Sequence, residues 1–88
     1  NNQPMEAFPF FLMATRLDPN EPFYHYNLGN FVFLFEEHLT KLNKGEKMGL
    51  LMHESFKEAA RLQPANFDYQ LRYAQSFFDL NSSNASEQ

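Results

Sequence analysis

The chain has 88 residues, a formal net charge of −4 and no cysteine, so it has the length of one small domain without disulfides, thiolate nucleophiles or cysteine-held metal. The acidic balance and the lack of any Lys/Arg cluster argue against a nucleic-acid partner, because neutralising a phosphate backbone requires such clusters. Eleven Phe and four Tyr beside three Gly make an aromatic-rich, helix-compatible composition whose rings must be packed somewhere.

The opening residues Asn1-Asn2-Gln3-Pro4 lack the basic and apolar regions of a signal peptide, and a chain that does not begin with Met reads as cut from something longer. The compartment is therefore left open. A first helix is expected from about Glu6 to Leu17, with Phe8, Phe11, Leu12 and Thr15 along one side. Pro9 confines its start to positions 6–8, since proline fits only the first turn, where no amide hydrogen bond is lost. The run Leu17-Asp18-Pro19-Asn20-Glu21-Pro22 ends it, and Asn20 is the expected cap of the next helix, with Pro22 in the opening turn.

From Pro22 to Leu42 the residues Leu28, Phe31, Val32, Phe35, Leu39 and Leu42 recur at three- and four-residue steps, which predicts one long amphipathic helix. Gly29 interrupts its buried face, where a helix interior favours Ala by about 1 kcal/mol. A second helix is expected to approach closely there. The apolar run Phe31–Phe35 is far shorter than the roughly 20 residues of a bilayer span, so no membrane partner is expected.

Gly45, in the turn 43–46, is the expected left-handed residue that closes the helix. Met48, Leu51, Met52, Ser55, Phe56, Ala59 and Leu62 then predict a third helix over 47–62, antiparallel to the second. After Gln63-Pro64-Ala65, Asn66 is the expected cap of a fourth helix over 67–80, marked by Tyr69, Tyr73, Phe77 and Leu80. The Ser/Asn-rich stretch 81–88 has little to bury and is expected to be disordered. The predicted fold class is all-α: four helices in antiparallel helix-turn-helix arrangement.

An internal repeat supports this organisation. Phe11, Ala14, Arg16, Leu17 and Pro19 correspond to Phe56, Ala59, Arg61, Leu62 and Pro64, each displaced by 45 residues. The register continues with Tyr24 over Tyr69, Leu28 over Tyr73, Gly29 over Ala74 and Phe33 over Phe78. The pattern resembles the tetratricopeptide repeat: His25, Leu28, Gly29 and Val32 fall on first-helix positions of that family, and Met52, Phe56, Ala59 and Pro64 on second-helix positions. His25 stands where the family has Trp, Met52 stands for its first Ala, and the period exceeds the family's usual length of about 34 residues. The excess falls between Glu36 and Met48, and lengthening both helices of the hairpin would absorb it.

The histidines do not form a ligand set. His38 and His53, with Glu37 and Glu54 beside them, read as partly exposed polar residues at the edge of a helix pair, and His25 as a ring packed in place of an aromatic. Neither a short-spaced histidine pair nor a glycine-rich phosphate loop is present, so no metal, cofactor or catalytic group is expected. The sequons at Asn81 and Asn84 read as chance in so Asn/Ser-rich a segment.

What the resemblance implies is binding. First helices of the family line a concave surface that holds extended segments of partner proteins. By position, that surface would carry Phe23, Tyr26, Asn27, Asn30 and Phe33 from the second helix, and Asp68, Leu71, Arg72 and Gln75 from the fourth. A protein or peptide is the implied partner. The competing expectation is a homo-oligomer, in which Phe8, Phe11 and Leu12 at one end and Tyr73, Phe77 and Leu80 at the other are covered by another copy.

Overall fold

The computed structural model describes residues 6–42 and 48–86, and the side chains of 6–36 and 48–78. Four helices form in the expected order: α1 (Phe8–Leu17), α2 (Pro22–Leu42), α3 (Gly49–Leu62) and α4 (Phe67–Ser86). Each packs on the next in sequence, and the short connections make α1 and α2, and α3 and α4, antiparallel neighbours. The turn assigned to Gly45 lies outside the described residues.

The core lies between α2 and α3. Leu28, Phe31 and Val32 meet Met48, Met52 and Phe56, and Ala7, Phe8, Phe11 and Leu12 close one side of this cluster. A second cluster of Ala59, Ala60 and Tyr69 joins α3 to α4, with Tyr26 and Tyr73 against it. Gly29 explains how closely α2 and α3 approach: a Cβ there would lie 2.6 Å from Cε1 and 2.8 Å from Cδ1 of Phe56, inside any real contact distance. The glycine gives up helix propensity at the point where the Phe56 ring occupies the space of a Cβ.

The two helix-helix turns are local copies of each other. The Asp18 N–H donates to Ala14 O and the Gln63 N–H to Ala59 O, both at 3.1 Å. Those two residues have φ/ψ of −139°/80° and −139°/71°. Glu21 N then bonds Asp18 O at 3.2 Å, and Asn66 N bonds Gln63 O at 3.0 Å. Across each turn a side chain grips the proline carbonyl: His25 Nε2 lies 2.8 Å from Pro19 O, and Gln70 Nε2 donates to Pro64 O at 3.1 Å. Both pairs sit 45 residues apart, so the repeat extends to hydrogen bonding. A carbonyl only accepts, which places a proton on His25 Nε2. His25 is thus a turn clamp and not the packed aromatic substitute expected from its position.

Several other expectations are corrected. The cap of α2 is Glu21 and not Asn20: Pro22 is its first helical residue, and Glu21 Oε2 accepts from the Phe23 N–H at 3.1 Å. At the equivalent position Asn66 caps α4 as expected, with Oδ1 accepting from the Tyr69 N–H at 3.1 Å. α2 has the expected bounds, with 21 residues against 14 in α3, while α3 begins at Gly49 instead of position 47. α2 also breaks direction at Phe35 (φ −123°, ψ 23°). Neither Pro nor Gly stands there, and the Phe35 ring stays on the core side, 4.9 Å from that of Phe31. Finally, α4 runs to Ser86, past the end expected at Leu80. No Gly or Pro lies beyond Phe67 to stop it, and Ser and Asn are poor helix formers without being breakers.

Candidate binding surface

The residues assigned to the binding face separate into two groups. Asn27 and Asn30 are half-buried on one stripe of α2, with the exposed Phe23 before them and the exposed Leu34 after them at helical spacing. Neither asparagine amide has a hydrogen-bond partner among the described residues. Phe33, 48 % exposed, lies under Arg72 of α4, whose guanidinium carbon is 5.7 Å from the ring centroid. This cation-π contact ties the α2 residues to the α4 residues. Asp68 and Gln75 are exposed, as is Leu71.

Tyr26 does not belong to that open face. Its ring sits in the seam of three helices, 4.6 Å from Tyr69 and 6.0 Å from Phe56. Burial first, then the negative charge of Glu21, pushes the phenol of its partner Tyr69 above the usual tyrosine range. On the far side of α3, the hydrogen bond from Arg61 holds the Glu58 carboxyl below the usual carboxylate range. That pair is solvent-facing and contributes little to stability. Leu34 was not among the residues predicted for the surface, although its spacing from Asn27 and Asn30 was visible.

His53 is the largest departure from expectation. It is buried, not exposed at the edge of the hairpin: its ring lies 4.5 Å edge-on from Phe77 and 5.3 Å from Tyr73. Its Nδ1 is 2.7 Å from Ser76 Oγ, and that hydroxyl donates to Tyr73 O at 2.6 Å. The hydroxyl proton is thereby committed, so Nδ1 carries the hydrogen and donates to the serine. The 45-residue register makes sense of the pair, because its counterparts are Phe8 and Phe31, whose rings stack with centroids 5.9 Å apart. A polar contact replaces an aromatic one at the same place in the repeat.

Ser76→Ala leaves the His53 N–H without its acceptor and is expected to cost about 1–3 kcal/mol, whereas His53→Phe combined with Ser76→Ala recovers most of that loss. Urea unfolding of both variants checks this, and a neutral Ser76→Ala contradicts it.

Among the described residues there is no group of three or more His, Asp or Glu able to hold a metal ion. His38 and Glu37 lie outside the residues whose side chains are described. No described helix is long and apolar enough to cross a membrane. No protein-family model, characterised protein or solved structure matches the chain.

Proposed function

We propose that this chain is a tetratricopeptide-like helical repeat that binds a segment of another protein on the surface shared by α2 and α4, and that its task is binding and not catalysis. The observation that carries the reading is the pair Asn27 and Asn30. Both residues are half-buried, their amides have no hydrogen-bond partner among the described residues, and they stand between exposed apolar side chains. A backbone laid along the stripe would find a donor and an acceptor on each amide, with apolar contact from Phe23 and Leu34 on either side. Arg72 stands on Phe33 with no ion pair among the described residues, and its planar N–H fork suits a carboxylate of the bound segment. The repeated turn geometry and the glycine-mediated contact of α2 with α3 support the repeat assignment.

Peptides selected on the chain from a random phage-displayed library test the reading. Asn30→Ala with Arg72→Ala is expected to weaken the selected peptides about tenfold or more, with the melting temperature unchanged. A library that yields no binder, or peptides that bind the double variant equally well, would sink it.

A further inference from the structure

The unit α1–turn–α2 and the unit α3–turn–α4 share their turn hydrogen bonds, their cap positions and their sequence register. They meet through α2 and α3, where Gly29 lies against the Phe56 ring. Applying the 45-residue displacement once more to that contact gives Ala74 on α4 and Phe11 on α1, at the two ends of the helix order.

The faces so designated are the ones left open. Val32, on the buried side of α2, is 0 % exposed, while its counterpart Phe77 on α4 is 47 % exposed. Gly29 is buried and Ala74 exposed. On α3, Ser55 is 3 % exposed, while its counterpart Phe10 on α1 is 71 % exposed. Met13 beside it is exposed as well. Of the residues expected to be bare, Phe77 is exposed, whereas Phe8, Phe11, Leu12 and Tyr73 are half-buried against the core and Leu80 lies outside the residues whose side chains are described. The open stripe of α1 is centred instead on Phe10 and Met13, and that of α4 joins Phe77 to Leu71 and Ala74.

We propose that a second copy of this chain docks its α1 on α4, reproducing between molecules the packing of α3 on α2 within one. Continuity with that internal contact selects the occupant, because the face of α4 is the repeat-equivalent of the face of α2 that takes α3, and α1 is the equivalent of α3. Charge agrees: antiparallel docking sets the first turn of α4, with Asp68, beside the last turn of α1, with Arg16. The contact is heterologous, so each copy offers one face of each kind and addition continues head to tail without closing at two. It uses the Leu71–Ala74–Phe77 side of α4, so it shares Asp68 and Leu71 with the residues assigned to the binding face but does not involve Asn27, Asn30 or Arg72.

Sedimentation velocity and light scattering on the chain test this. The mass is expected to rise continuously with protein concentration, past that of a dimer. Two variants separate the faces: Phe10→Arg with Met13→Arg on α1, and Ala74→Arg on α4. All three positions are exposed, so both variants are expected to keep the helical circular dichroism and melting of the parent. Each alone is expected to be monomeric, and an equimolar mixture to form a heterodimer and nothing larger. A parent chain that stays monomeric at every concentration, or stops at a dimer, overturns the proposal. So does an α1-face variant that still associates with itself.

Discussion

Phe56→Ala is expected to lower stability by about 3–5 kcal/mol, a large share of the roughly 5–15 kcal/mol that holds a native domain together. The ring is 2 % exposed and stands between α3 and α2, over Gly29 and 6.0 Å from Tyr26. Its removal leaves a cavity that the neighbours cannot close by small movements, because Met52 and Val32 beside it are fully packed. The loss is read from the urea midpoint at constant m-value. A cost below about 1 kcal/mol would mean that the centre of the core lies elsewhere.

Gly29→Ala carries the second large effect, and its sign is diagnostic. On helix propensity alone the substitution gains about 1 kcal/mol. Against this, the new Cβ meets the Phe56 ring at 2.6 Å, and an enclosed ring cannot retreat as the tip of a flexible side chain would. Overpacking of this kind costs about 1–3 kcal/mol, so a net destabilisation is expected, accompanied by a lower melting temperature. In a Phe56→Leu background the same substitution is expected to become neutral or stabilising. A Gly29→Ala chain more stable than the parent would show that α2 and α3 are not held at this distance.

Much of this architecture is legible in the amino-acid sequence. The three- and four-residue spacing of Leu28, Phe31 and Val32 and of Met52, Phe56 and Ala59 located the helices, and Gly29 marked the close approach. Periodicity reports that a face is buried, however, and not which neighbour buries it. Tyr26 was assigned to the open surface for that reason, when a ring from the next unit, Tyr69, lay ready to cover it. The burial of His53 runs against the expectation because a polar residue reads as exposed by default, although the register already sets it and its partner Ser76 over Phe8 and Phe31. Capping was harder still. Asn66 and Glu21 occupy equivalent positions, but only the asparagine has the short side chain that propensity rules recognise. The stripe of Asn27 and Asn30 was visible from spacing, while the contact of Arg72 with Phe33 depends on the three-dimensional approach of α2 and α4.

The order in which the helices lean on one another also sets how the molecule should fold and open. Because the main contacts run from each helix to the next along the chain, few long loops have to close before packing begins, a topology associated with folding in microseconds to milliseconds. The α2–α3 pair, joined at Gly29 and Phe56, is the natural nucleus. At the other extreme, α1 contributes no fully buried side chain and rests on the core through half-covered rings. Opening therefore begins there, and the molecule loses its first helix before its centre.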